Sequence, residues 1–85
     1  METKYRTLES FPLNCEGVIF SIHSGRGLLN RLFSMGIYQG KKLRRLGENL
    51  RNGPVCIEIN NSRYILGRGI AQKIIIKYET NSNEE

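Results

Sequence analysis

The stretch Arg31-Leu32-Phe33-Ser34-Met35-Gly36-Ile37-Tyr38-Gln39-Gly40 decides the fold of this 85-residue chain. Its first half continues an apolar stripe at helical spacing, Leu28, Leu29, Leu32, Phe33 and Met35, with Arg26, Asn30, Arg31 and Ser34 on the other side. Gly36 then supplies the residue that can take positive φ at a helix stop. Ile37 follows where it can pack back on Leu32 in a Schellman arrangement. Gly40 makes a second tight turn, and beyond it the pattern becomes extended. The expected helix runs over residues 26–35, with the Ser24 hydroxyl as its N-cap.

Working outward, Gly17 opens a strand, Val18-Ile19-Phe20-Ser21-Ile22, whose apolar residues fall on both faces as in a strand covered on two sides. After Gly40 the expected elements are a strand over 41–46 and a polar loop over 47–53. The next strand starts at Pro54, with Val55, Ile57 and Ile59 facing one way and Cys56 and Glu58 the other. Asn60-Asn61-Ser62 reads as a hairpin connection into Arg63-Tyr64-Ile65-Leu66. A bend over 67–71 leads to a last strand over 73–78. Residues 1–7 read as a flexible N-terminus, 8–78 as the domain and 79–85 as a disordered acidic tail. The fold class is therefore mainly β. It is a small barrel of about five strands with one α-helix inserted between the first two, the helix stripe plugging one open end.

Composition narrows the function. No apolar run approaches the ~20 residues of a membrane span. Met1-Glu2-Thr3-Lys4-Tyr5-Arg6 has no apolar core of a secretory signal, so the expected location is the cytoplasm. Lys and Arg total 13 against 8 Asp and Glu, a net charge of +5, which favours an acidic partner. Lys41, Lys42, Arg44, Arg45 and Arg51 cluster with only Glu48 among them. From that clustering the expected docking surface is Arg26, Arg31, Lys42, Arg44 and Arg51. Catalysis is not expected. His23 is the single histidine, and Glu9, Glu16, Glu48 and Glu58 are scattered with no paired carboxylates. Gly25-Arg26-Gly27 precedes a helix but lacks the GxxxxGK[ST] pattern of a phosphate loop. No metal site and no cofactor are indicated. Cys15 and Cys56 show no CxxC spacing and read as reduced, mostly buried thiols. A second, less favoured reading is a basic barrel that binds nucleic acid, with Tyr38 and Tyr64 as stacking platforms.

Four motifs occur in order: Gly17-Val18-x-x-x-Ile22, Arg31-Leu32-x-x-Met35-Gly36-Ile37-x-x-Gly40, Pro54-Val55-x-Ile57, and Ile65-Leu66-x-Arg68-x-x-Ala71-x-x-Ile74-x-Ile76. Through them the chain resembles the FeoA family, small proteins of ferrous iron uptake. It is also similar to the carboxy-terminal module of iron- and manganese-dependent repressors. No helix-turn-helix pattern precedes the domain, which favours the stand-alone form. The resemblance implies an SH3-like barrel and a non-catalytic accessory role. It further implies a partner, the FeoB-type membrane ferrous iron transporter with its cytoplasmic GTP-binding domain, which would recruit the chain to the inner face of the membrane. Self-association stays open. Two departures stand out. Arg45 occupies a position that is usually apolar in the family, so its stem is expected to pack while its guanidinium reaches solvent or a partner carboxylate. Leu13-Asn14 replaces a common glycine turn, and Asn tolerates the left-handed conformation needed there.

Overall fold

The structure, a computed structural model, describes residues 1–47 and 53–80. The strands are β1 (Glu2–Thr7), β2 (Glu16–Ile22), β3 (Lys42–Leu46), β4 (Val55–Ile59), β5 (Ser62–Leu66) and β6 (Ile74–Thr80). Helix α1 (Arg26–Ser34) lies between β2 and β3, and a one-turn helix α2 (Arg68–Ala71) between β5 and β6. A 3₁₀ turn, Leu8–Ser10, follows β1. The strands form one antiparallel sheet in the order β1-β6-β2-β3-β4-β5, curled around the core and leaving β1 and β5 as its edges. The mainly β, single-helix architecture read from the sequence is the one observed.

The helix stop is built as the Gly36 position demands. Gly36 has φ +88°. The Ile37 N–H donates to the Leu32 carbonyl and the Gly36 N–H to the Phe33 carbonyl, both at 2.9 Å, the paired bonds of a Schellman motif. Leu32 and Ile37 are both fully buried. The chain is then stitched to β2: the Gly40 N–H donates to Ile19 at 2.8 Å and the Ile19 N–H to Lys41 at 2.9 Å. The start of the helix differs from expectation. Its N-cap is Gly25, without a side-chain cap bond, and not Ser24.

In β4 the inward set is Val55, Ile57 and Ile59, all buried, with Cys56 and Glu58 half-buried on the other side. Asn60 and Asn61 both have positive φ, 53° and 70°, which makes the β4–β5 connection a two-residue turn whose twist suits the hairpin. Asn14 takes φ 61°, the left-handed turn expected of it. Ile74 and Ile76 of β6, Leu43 of β3 and Ile19 of β2 complete the core from the sheet, while Leu8 and Phe11 close it from the 3₁₀ segment.

Three expectations are corrected. Residues 2–7 are not a flexible end. They pair with β6 over six positions, Glu2↔Thr80 to Thr7↔Ile75, and make the sixth strand. The signal lay in a period of two, Glu2, Lys4 and Arg6 alternating with Thr3, Tyr5 and Thr7, but the strand lacks an apolar face and is held by its pairing with β6. The outer face of β2 is not covered. The pairing with β6 shifts register between Ile19 and Ser21, and the extra residue, Phe20, points to solvent against Tyr5, ring centroids 4.9 Å apart. Finally, Cys15 is exposed and Cys56 only half-buried. Of the expected tail, Glu79 and Thr80 belong to β6, whereas residues 81–85 lie outside the described residues, as do residues 48–52 of the expected loop.

Gly17 is needed for a close approach. A Cβ there would stand 2.4 Å from Ile76 Cγ2 and 3.1 Å from Phe11 Cζ, both in the packed core. Gly17→Ala is expected to lower unfolding free energy by about 1–3 kcal/mol. Gly36→Val, forced into the left-handed region, is expected to lose about 1–3 kcal/mol. Urea unfolding of each variant beside wild type measures both, and Gly36→Asn should lose less than Gly36→Val because Asn tolerates that φ.

Candidate docking surface

Of the expected docking residues, the four that are described lie on two elements, α1 and β3. Arg26 opens α1 and Arg31 lies near its end, both exposed. At about 100° per residue they project roughly 140° apart, Arg26 on the flank of Leu29 and Phe33 and Arg31 on the flank of Met35. Lys42 and Arg44 share the outer face of β3, two residues apart, and Lys42 is exposed. Arg44 is engaged within the chain: it donates to the Glu16 carboxylate at 3.1 Å and to the Asn14 carbonyl at 3.0 Å. Arg51 lies outside the described residues.

Arg44 belongs to a longer arrangement. Register places Glu16 opposite Arg44, Arg44 opposite Glu58 and Glu58 opposite Arg63, so charges of alternating sign cross β2, β3, β4 and β5. Cross-strand pairs of opposite charge support the sheet modestly, and at this exposure the Arg44–Glu16 pair contributes little more than its geometry. One row further along, Leu46 faces Cys56 and Cys56 faces Ile65.

Arg45 faces the other way, and its role corrects the sequence reading. The residue is half-buried, and part of its guanidinium turns back into the chain. Nη1 donates inward to the carbonyls of Leu8, Glu9 and Phe11, at 3.4, 2.8 and 2.6 Å. Its backbone takes part too: Arg45 N–H donates to Cys15 at 3.0 Å, and Asn14 N–H donates to Arg45 at 2.6 Å. From the other side Arg6 donates to the Ser10 carbonyl at 3.3 Å. The Leu8 carbonyl also accepts from the Phe11 N–H at 3.2 Å; carbonyls at the end of a helical turn otherwise lack partners, and a cation there meets both their lone pairs and their negative dipole. Arg68 of α2 pairs with Glu9 on the same turn. Burial lowers the Arg45 pKa from its ordinary value, the Glu9 carboxylate opposes that, and Arg68 adds to it. A base with a lowered pKa gains stability only as pH rises toward its own titration range, which for arginine is far above neutrality, so the clasp is charged at physiological pH. Nε of Arg45 is buried with no hydrogen-bond partner.

Sequence periodicity overstated how much of α1 is covered. Leu32 is its one fully buried residue, and Leu28 packs partly against the core. Phe33 is 63% exposed, Leu29 36% and Met35 37%. Phe33 stacks on Tyr38 with centroids 4.7 Å apart, and the Lys41 ammonium sits 5.4 Å from the Tyr38 ring centre. Between helix and β2 runs a groove of about 340 Å³, lined by Leu29, Phe33, Ile37, Tyr38, Ile22, Ser21, Asn30 and Gln39. Tyr38 and Tyr64 are half-buried and do not stand out as platforms. The exposed aromatic residues are Tyr5, Phe20 and Phe33. His23 is bonded to the Ser21 hydroxyl at 3.0 Å, and no group of three or more His, Cys, Asp or Glu among the described residues could hold a metal ion. No described helix is long and apolar enough to cross a membrane.

A short curled antiparallel sheet with a single inserted helix places the chain among SH3-like domains. It superposes on the zinc complex of Stenotrophomonas maltophilia FeoA with a TM-score of 0.70 at 21% identity, covering 84% of this chain and 88% of that one. That protein is an SH3 domain protein suggested to act as a ferrous iron transport activating factor. A manganese-dependent transcriptional repressor matches with a TM-score of 0.77 at 23% identity, over 89% of this chain but 42% of the repressor. The FeoA domain pattern spans residues 6–78, and the chain belongs to the FeoA family of ferrous iron transport accessory proteins. A protein called Fe(2+) transport protein A, from Methanocaldococcus jannaschii, is 40% identical over 62 residues, 73% of each chain.

Replacing Arg45 with Met keeps the stem and removes the donors to three carbonyls. The expected loss is about 1–3 kcal/mol in urea unfolding. Arg45→Lys, which keeps charge but not the planar fork, should recover only part of it.

Proposed function

We propose that the chain is a non-catalytic accessory protein that docks on the cytoplasmic part of a FeoB-type ferrous iron transporter and biases its conformational or nucleotide state. The observation that carries this reading is the exposed flank of α1. A helix tied into its own domain chiefly through Leu32 and Leu28 keeps Phe33 and Leu29 in solvent beside a groove, with Arg26 on the same flank. Exposed aromatic and apolar residues rimmed by charge are the make-up of a protein–protein contact. Membership of a ferrous iron transport family supplies the class of partner. Lys42 on β3 is the second basic element of the surface. Arg44 contributes less, because Glu16 already answers its charge. Modulation requires different affinities for two states of the transporter, since equal binding to both shifts nothing.

The test is titration of the full chain against the cytoplasmic GTP-binding domain of the transporter from the same organism, read by calorimetry. Saturable binding is expected, weakened roughly tenfold or more by Phe33→Ala, a loss typical of an aromatic anchor. Arg26→Glu should weaken binding less, and more at low salt than at high salt. Undiminished binding by Phe33→Ala and Arg26→Glu would remove the α1 flank as the contact. Absence of binding by the folded wild-type chain in every nucleotide state would overturn the reading.

A further inference from the structure

The two edges of the sheet are defended differently. Along β1, Glu2, Lys4 and Arg6 put charge at every second position, which discourages pairing with another strand. On the far side the sheet ends at β5, Ser62-Arg63-Tyr64-Ile65-Leu66, which has no proline and one charge. In a two-residue hairpin the residues flanking the turn exchange hydrogen bonds, and bonded pairs then alternate. Ser62, Tyr64 and Leu66 therefore turn their backbone groups toward Ile59, Ile57 and Val55. That alternation directs the N–H and C=O of Arg63 and Ile65 away from β4. Their side chains share the outer face, where two rows stop. Glu16, Arg44, Glu58 and Arg63 alternate in sign and end on a cation, and Leu46, Cys56 and Ile65 end on an isoleucine that is 71% exposed.

We propose that the β5 edge accepts an extended segment of a partner protein as a seventh, antiparallel strand. The segment carries an apolar residue opposite Ile65 and, two residues later, a carboxylate opposite Arg63. β4 is the template on the inner side of β5: Cys56 faces Ile65 and Glu58 faces Arg63, so that along the chain it reads apolar, any residue, acidic. An added strand with that pattern continues both rows. Backbone bonds to Arg63 and Ile65 provide the affinity, and the two side-chain pairs provide register and choice. A second copy of the chain offering its own β5 does not supply the pattern, because β5 contains no acidic residue. Neither Arg63 nor Ile65 belongs to the α1 and β3 docking surface, so this edge stands or falls separately from the transporter reading.

The experiment uses the full chain and a labelled synthetic peptide, Ser-Thr-Ile-Thr-Glu-Thr-Ser, followed by fluorescence anisotropy. Binding is expected to weaken about fivefold or more when the peptide Glu is replaced by Lys, since an attractive cross-strand pair becomes a repulsive one. Arg63→Glu, confirmed folded by circular dichroism, should reverse the preference between the two peptides. With wild-type protein, hydrogen exchange should slow at the amides of Arg63 and Ile65, which face the new strand. The proposal is overturned by equal affinity for both peptides, by no binding of either, or by protection at β1 in place of β5. It is equally overturned if sedimentation equilibrium shows a dimer that Ile65→Ser dissociates, since the edge would then belong to a second copy.

Discussion

The guanidinium of Arg45 against the carbonyls of Leu8, Glu9 and Phe11 is the contact on which the rest of this small barrel depends. Leu8 and Phe11 are buried, and they come from a segment with too few residues to make a ladder of its own. Bringing them over the core turns peptide carbonyls inward with them, and a buried acceptor without a donor costs about as much as a hydrogen bond contributes. One planar side chain donates to the carbonyls of Leu8, Glu9 and Phe11 in this part-buried turn, and the Arg6–Ser10 bond lies exposed at its edge. With the turn held, β1 runs straight onto β6 and Phe11 packs edge-on against Tyr78 at 5.1 Å. Arg45 is thus a structural member of the barrel.

The same economy explains where function can sit. A domain of 85 residues has a thin core, and its interior is taken up by the side chains that close it. The chemistry available to a partner is on the outside. There the basic residues divide into those answered within the chain, Arg44 by Glu16 and Arg68 by Glu9, and those such as Arg26, Arg31 and Lys42 that have no salt bridge among the described residues. Net positive charge alone did not distinguish the two kinds. Strand register did, because it set an acid opposite Arg44 across the sheet.

Local rules were legible where a single residue type answers a backbone requirement. Gly36 ends the helix, Asn60 and Asn61 turn the hairpin, Asn14 takes the left-handed turn, and Val55, Ile57 and Ile59 alternate inward. The family, too, was legible, because its pattern consists of such glycine and core positions. Less was legible of the surface. The apolar stripe of α1 is wider than the barrel mouth it covers, so Leu29, Phe33 and Met35 remained outside. β1 has no apolar face to betray it, and Arg45 looked like one more member of a basic cluster.

By itself, then, the sequence determined the inventory of turns, the helix and its stop, the inward faces of the strands, and hence the barrel class. These follow from φ preferences and periodicity, which act between near neighbours in the chain. Only the tertiary structure decided that residues 2–7 join the sheet, that Arg45 points inward, and which apolar and charged side chains are left without an answer at the surface. Those outcomes rest on pairings between residues 34 to 78 positions apart, such as Arg45 with Phe11 or Glu2 with Thr80. No local pattern encodes such a pairing, because the partner is chosen by the geometry of the whole sheet.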